Sequence, residues 1–408
     1  MPTSLIATWS DEAARFAPDL RVMALHGAKR AERFTEIDAH DLIITTYALL
    51  ARDVRLLDRT WALAVFDEAQ ALKNSAAAVS KAARAVRAAR RICLTGTPIE
   101  NDLGELWSIV DIAVPGLLGE RKRFGTLFRV PIEKRGDAGR RAALVARIRP
   151  YVLRRTKERV AADLPAKTEI VRRVELDGAQ RDLYETVRLE MQARVRDGIA
   201  REGLGRSGIV VLDALLKLRQ ACCDPRLLPP GLAGDAPSAK LVELGAMVEQ
   251  LVAEGHRVLV FSQFTSMLAL IAADLATRDI ATLVLTGETQ NRADVVARFQ
   301  AGAAPVFLAS LRAGGVGLTL TAADTVIHYD PWWNPAVERQ ATDRVHRIGQ
   351  TKPVFAYKLV AAGTVEEKIL ELQARKADLA GALLDGGASA ESLGRVLDAE
   401  TVDRLFAR

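Results

Sequence analysis

The chain is poor in cysteine and aromatic residues, has no long uncharged apolar run, and nowhere contains a complete phosphate-cradling loop. Each absence narrows the field. Cys222 and Cys223 are adjacent and Cys93 lies in an apolar run, so zinc spacing is excluded and buried thiols in a reducing compartment are expected. The longest uncharged apolar stretch, 258–273, is broken by Ser, Gln and Thr and is too short to span a bilayer. Residues 1–20 carry acids and lack the pattern of a signal peptide; together these features predict a cytoplasmic protein. No stretch satisfies G-x-x-x-x-G-K-[ST]: at 27–30 (GAKR) the lysine is not preceded by glycine, and no glycine comes earlier.

What is present suits a soluble polyanion-binding protein. The 408 residues allow two or three domains, with 49% hydrophobic and 26% charged residues. Net charge is +6, and the excess is local: 111–163 holds fourteen Lys/Arg against six Asp/Glu. That places a basic patch on one segment, as nucleic-acid binding requires; a solubilising helical surface would have the same composition.

From 21 to about 110, apolar runs at 21–25, 41–45, 62–66 and 91–95 alternate with helical patterns at 48–57, 75–89 and 103–112. The alternation predicts a mainly parallel sheet, with ligands outside the carboxyl ends of its strands. The third run ends at Asp67-Glu68-Ala69-Gln70. Paired acids at a strand end suit Mg²⁺ and an oriented water, and they equally suit a helix cap. The fourth run ends at Thr95-Gly96-Thr97-Pro98, whose hydroxyls can bond an acid or a phosphate or form only a turn. Helices are expected at 177–200 and 209–219 after a strand at 169–175, and 228–238 (LPPGLAGDAPS) reads as a linker.

A second alternating region starts near Lys240, with strands expected at 257–261, 281–285, 306–309, 325–329 and 354–359, then a long helix from 364 to about 384. Its strand ends carry Ser262, Thr286 and the glycines Gly315 and Gly317, the last two missing the third glycine of a dinucleotide fingerprint. At 338–350 (ERQATDRVHRIGQ), a helix opened by Asn334-Pro335 and closed by Gly349 would put Gln340, Arg344 and Arg347 on one face. Such a face fits phosphate oxygens, or it pairs with Glu338 and Asp343 as a solvated charge surface.

These blocks in order resemble the Swi/Snf-type helicase-related ATPases of superfamily 2, a DEAD/DEAH-like group. The resemblance spans Pro2 to about Leu384: PTSL at 2–5, ITTYALL at 44–50, DEAQ at 67–70, LTGTP at 94–98, ELWSIVD at 105–111, VLRRTK at 152–157, LRQACCDP at 218–225, VFSQF at 260–264, AGGVGLTLTAAD at 313–324 and ERQATDRVHRIGQ. DEAQ departs from the histidine-ending form of many members. The resemblance implies an α/β fold of two RecA-like parallel-sheet lobes with helical insertions and a C-terminal brace helix. It divides the chain into a first lobe at 1–110, a basic and helical insertion returning to that lobe at 111–227, a linker at 228–239, a second lobe at 240–363 and a brace and tail at 364–408. It implies ATP and Mg²⁺ as cofactors, Asp67 as the Mg²⁺ ligand, Glu68 as activator of the attacking water, and Arg344 and Arg347 as arginine fingers. Thr95, Gly96, Thr97, Gly315, Gly317 and Gln340 would couple the nucleotide to movement. Thr3, Thr46, Ser262, Thr286 and Thr319 would line a track for double-stranded DNA, held through its backbone. The implied activity is DNA translocation driven by ATP hydrolysis, in a bacterial member. Because the cradle loop is missing, the expectation is a fragment deficient in ATPase activity by itself, with an incomplete first sheet; a preceding segment, an RNA polymerase or a repair assembly would be further partners. The alternative is a non-catalytic DNA-binding or scaffold protein derived from such a motor.

Overall fold

The first four apolar runs pair as two separate parallel ribbons. β1 (Val22–Ala24) pairs with β2 (Leu42–Ile44), and β3 (Thr60–Phe66) with β4 (Arg87–Cys93). The computed structural model describes all residues except 54–55, 57, 97–101, 156–160, 162, 203–206, 233, 235, 315–318, 385–403 and 408. It divides into two compact units, Met1–Val152 with Asp378–Gly394, and Leu153–Ala377 with Arg395–Arg408.

In the first unit the helices are α1 (Ile6–Phe16), α2 (Tyr47–Leu50), α3 (Ala78–Ala85), α4 (Leu103–Ala113), α5 (Arg121–Phe124), α6 (Val130–Arg135) and α7 (Ala138–Ile148). A single π turn, Gly125–Arg129, joins α5 to α6. The helix expected to reach 89 stops at Ala85, because Val86 turns extended and Arg87 is taken into the β4 pairing with Thr60. α4 is buried on most of its circumference and serves two cores. Ile109 and Ile112 pack with Met23, Leu25 and Phe66 of the ribbons, while Leu106 and Trp107 pack with Phe124, Phe128, Ile132 and Leu144 of the basic segment. The β3–β4 ribbon leaves Leu63, Val65 and Ile92 exposed, together with Leu94 just past β4.

The second unit contains one six-stranded parallel sheet in the order β5-β10-β9-β6-β8-β7. The strands are β5 (Lys167–Val174), β6 (Val258–Ser262), β7 (Thr282–Leu285), β8 (Val306–Ser310), β9 (Thr325–His328) and β10 (Val354–Ala361). Its helices are α8 (Gly178–Glu202), α9 (Gly208–Cys223), α10 (Ala239–Ala253), α11 (Thr265–Thr277), α12 (Arg292–Gln300), α13 (Leu311–Gly314), α14 (Pro335–Thr342) and, up to Ala377, α15 (Val365–Leu384). β6, β8 and β9 are buried along their whole length. Alternation sends Val258, Val260, Leu308 and Ile327 to a core with α10 and α11, and Leu259, Phe261, Phe307 and Val326 to a core on the other face.

β5 pairs with β10 over eight residues, so 153–227 belongs with the second sheet, whereas the sequence blocks grouped all of 111–227 with the first. The reason is hydrogen bonding: β10 has a free edge, and an extended KTEIVRRV run satisfies it in parallel register. α8 and α9 form a hairpin around Tyr184, Met191, Leu215 and Leu218, against which Val365 and Ile369 of α15 pack. The expected brace helix therefore rests on this hairpin. Among the described residues no helix is long and apolar enough to cross a membrane.

One ion pair ties these pieces together. Lys240, at the start of α10, lies 2.9 Å from both oxygens of Glu366, at the start of α15, and neither residue is exposed. The ammonium also sits 4.9 Å above the Tyr329 ring, and Glu366 accepts the Ala361 N–H at 2.8 Å. Burial, the largest single influence, would lower the Lys240 pKa; the Glu366 charge and hydrogen bond, with Cys223 and Asp330 nearby, together outweigh it and the net direction is upward. Lys240→Met leaves a buried carboxylate uncompensated and is expected to cost about 3–5 kcal/mol, while Lys240→Met with Glu366→Leu restores most of the loss. Denaturant unfolding of the three proteins is the check; a single variant as stable as the parent would refute the assignment.

Candidate active-site segments

The two polar strand endings of the first unit are joined by a chain of side chains. Phe66 is the last residue of β3, and Leu94, just past β4, donates its N–H to the Phe66 carbonyl. Asp67 and Thr95 therefore stand at neighbouring strand ends, as parallel pairing requires. The Thr95 hydroxyl donates to Gln70 Oε1 at 2.8 Å, and Gln70 Nε2 donates to Glu68 Oε2 at 2.5 Å. The Gln70 amide thus both accepts and donates, as a relay between two polar groups must.

Glu68 has φ of 51° and ψ of 49°, left-handed backbone that a non-glycine residue adopts at a cost of roughly 1–3 kcal/mol. The conformation is held by the Ala69 N–H, which donates to the Leu94 carbonyl at 2.8 Å. Asp67 is oriented from three sides. Its Oδ1 accepts the Glu68 N–H at 2.8 Å, its Oδ2 accepts the Trp9 indole N–H at 2.7 Å, and its carbonyl accepts the Tyr47 hydroxyl at 2.6 Å. Sequence reasoning missed Trp9 and α1 altogether; the signal available was an indole N–H on a helix, which needs a partner once buried.

A carboxylate has about four lone-pair sites, so the two N–H donors leave room on Asp67 for a cation. Among the described residues no group of three or more His, Cys, Asp or Glu could hold a metal by itself. A lone carboxylate fits Mg²⁺, which keeps most of its coordination for water and phosphate oxygens.

In the second unit, α14 is capped by Asn334, whose side chain accepts the Ala336 N–H, and Pro335 stands in the first turn. The helix ends at Thr342, not at Gly349. Arg344 and Arg347 therefore lie in the turns beyond it, and the expected single face through Gln340, Arg344 and Arg347 is not a helix face. The physical cause is competition for carbonyls: Leu320 donates to the Arg344 carbonyl at 3.0 Å, and Gln350 Nε2 takes the carbonyls of Val345, Ala323 and Thr321. Arg347 Nη1 instead donates to the Thr319 hydroxyl at 3.0 Å, bringing together a residue expected on the nucleotide and one expected on the DNA.

α14 is pinned from three directions. Glu338, buried, accepts the Trp332 N–H at 2.6 Å and the Gln373 amide at 2.9 Å through Oε1, and its Oε2 forms an ion pair with the Lys358 ammonium at 2.8 Å. His328, stacked on Phe261, shares a 2.8 Å hydrogen bond with Thr342.

The other hydroxyls divide. Ser262 is fully buried and donates to Asp330 at 2.6 Å, and Thr46 is buried and caps α2 through the Leu49 N–H. Neither hydroxyl faces outward; each fixes a loop at a strand end. Thr286 is part-buried and braced by Thr289 and Glu288, whereas Thr3 and Thr319 are exposed. Thr97, Gly315 and Gly317 fall outside the described residues, and Gly96 is described with open space where a side chain would begin.

Arg219 was not singled out from the sequence, yet it closes the carboxyl end of the sheet. It is buried, reaches Gln263 at 2.8 Å and Asp330 at 3.3 Å, and lies 5.8–5.9 Å from the rings of Phe264, Trp332 and Trp333. Burial pushes the Asp330 carboxyl pKa up, and the Arg219 charge opposes this. The available clue was an arginine four residues after Leu215 and three before Cys222, on the apolar face of α9.

Comparison with known proteins gives a consistent result. A SNF2-related domain profile matches residues 1–227, and a helicase conserved C-terminal domain profile matches 240–349. An ATP-dependent helicase/translocase of Bacillus subtilis, YwqA, is 39% identical over 387 residues, covering 90% of this chain and 41% of that protein. An ATP-dependent helicase of Mycoplasma pneumoniae is 34% identical over 388 residues, covering 93% of this chain and 36% of that protein. The chain thus spans 36–41% of the length of these relatives. The solved SWI2/SNF2 ATPase core of Sulfolobus solfataricus in complex with dsDNA is 36% identical, with 99% of this chain and 84% of that chain covered at a TM-score of 0.48.

His328 supplies a test of how α14 is held. Burial pushes its pKa down to about 4, with the Glu338 charge in partial opposition. An unfolded histidine titrates near 6.5, so between those values the unfolded chain binds a proton that the native site refuses, and stability falls as pH drops. From pH 7 to pH 5 this group should remove roughly 2 kcal/mol. His328→Gln should unfold with that much less pH dependence in denaturant titrations at the two pH values. Identical pH dependence in both proteins would show that His328 is not the titrating group.

Proposed function

The chain belongs to the SNF2-related family, and we propose that it is part of a motor that couples ATP hydrolysis to movement along double-stranded DNA. One observation carries the reading: Asp67 and Glu68 at one strand end are tied through Gln70 to Thr95 at the next. Magnesium-bound ATP, when present, supplies the phosphoryl group to be transferred. Asp67 is assigned to hold the metal, its carboxylate fixed by Trp9 and the Glu68 N–H. Glu68 is assigned to orient water and accept its proton, with its carboxylate held by the Gln70 amide and its backbone in the left-handed region. The Gln70 amide makes Glu68 sensitive to the position of Thr95, which suits coupling of hydrolysis to backbone movement. Arg344 and Arg347 are assigned the charge stabilisation that guanidinium groups give to a phosphoryl transition state. Thr3, Thr286 and Thr319, with the basic segment, are assigned to backbone phosphates of the duplex. The relatives named as ATP-dependent helicases support this assignment.

No stretch of the 408 residues offers the glycine-rich cradle and lysine that grip the β- and γ-phosphates. This chain by itself is therefore expected to show no DNA-stimulated ATP turnover. Phosphate release with and without duplex is the measurement, and robust turnover that Glu68→Gln abolishes would overturn the expectation. The same missing cradle is what favours the second reading, a non-catalytic DNA-binding or scaffold protein. Both readings predict sequence-independent duplex binding that weakens roughly tenfold or more between 50 and 200 mM salt. Fluorescence anisotropy with two unrelated duplexes checks this; affinity independent of salt would count against both.

A further inference from the structure

Within the first unit, a cavity of about 420 Å³ is lined by Gly104 of α4 and by Arg121, Lys122, Phe124, Gly125 and Arg129 of the helix that runs through the π turn. A water molecule occupies about 30 Å³ of liquid, so the space fits a multi-atom ligand. Its polar groups carry one sign of charge. The Arg121 and Lys122 side chains are exposed and have no hydrogen-bond or ion-pair partner among the described residues. Arg129 donates Nε to Glu133 at 3.2 Å and Nη2 to Asp102 at 3.0 Å, which fixes the guanidinium plane while Nη1 stays uncommitted.

The nearby acids are already used. Asp102 Oδ1 accepts the N–H groups of Gly104 and Glu105 and Oδ2 faces Arg129, while Glu133 Oε1 accepts the Leu103 N–H at 2.7 Å. A side chain at Gly104 would begin 3.6 Å from Arg129 Nη1 and 2.8 Å from Asp102 Oδ1, so glycine is what leaves that guanidinium edge open. Phe124, fully buried, closes the floor. The π turn between Gly125 and Arg129 is a distortion that recurs at ligand sites.

We infer that this cavity binds a compact anion carrying two or more phosphate groups, held by Arg121, Lys122 and the Nη1 edge of Arg129. Two cations unpaired among the described residues, Arg121 and Lys122, beside one space call for more than one negative group, and the free Nη1 edge of the paired Arg129 adds a donor that matches a phosphate oxygen. Two sources offer that chemistry: adjacent backbone phosphates of a duplex, and a free polyphosphate anion. The free-anion arm goes beyond the proposed function, since none of these residues is Asp67, Glu68, Arg344 or Arg347; the duplex arm rests on the assignment of the basic segment to DNA and deepens it.

The test is calorimetric titration of the whole chain with pyrophosphate at fixed ionic strength, beside anisotropy with a labelled duplex. Arg121→Gln with Lys122→Gln should weaken pyrophosphate binding roughly tenfold or more, while Lys134→Gln with Arg135→Gln, the same charge lost from the end of α6, should change it less than about twofold. If the first pair also weakens duplex binding and pyrophosphate competes with duplex, the anion is the DNA backbone. If duplex binding is unaffected, the ligand is a free polyphosphate. Absence of saturable pyrophosphate binding overturns the proposal, and so does equal loss from both pairs. Loss in Arg347→Gln alone would place the anion at the second unit's arginines and overturn it as well.

Discussion

A parallel strand buried on both faces can offer chemistry only at its ends, and that constraint governs the second unit. β6, β8 and β9 have no exposed side chain to spare, so every polar residue that follows them is concentrated at the carboxyl edge. Ser262, Asp330 and Gln263 gather there, and Arg219 comes in from α9 to neutralise the buried acid. The same logic sets Lys240 against Glu366 where α10 and α15 begin. Each charge is tolerable because its partner arrives from a different part of the sequence, so the pairs also specify which helices lie together.

In the first unit the strands are less covered. They pair only in twos, and Leu63, Val65 and Ile92 remain exposed along the β3–β4 ribbon, with Leu94 just past it. The acids at the end of β3 are nevertheless fully organised, because their orientation depends on local partners: Trp9, Tyr47 and Gln70. The geometry around Asp67 and Glu68 survives without a continuous sheet. The basic segment is likewise independent, with its own core around Phe124, Phe128 and Leu144.

Much of this was legible in advance. All ten strands lie within a few residues of the expected runs, since short apolar stretches bounded by polar ends have one economical use in an α/β chain. Boundaries failed where partners outside the window decided them. Arg87 joined β4 because Thr60 was there to pair with it. α14 stopped at Thr342 because Leu320 and Gln350 took the carbonyls that a longer helix would have used. Likewise β5 looked attached to the preceding basic segment until the open edge of β10 claimed it.

By itself the sequence determined the family, the alternation of strands and helices, the two acids at the end of β3, and the missing phosphate cradle, because these are carried by residue type and spacing. The tertiary structure alone decided that Ser262 fixes a loop from inside, that Thr95 reaches the Gln70 beside Glu68, that Trp9 holds Asp67, and that Arg347 meets Thr319. Those facts depend on hydrogen bonds between residues far apart in the chain. A donor's partner is set by which backbone is nearest after packing, and no local pattern encodes it.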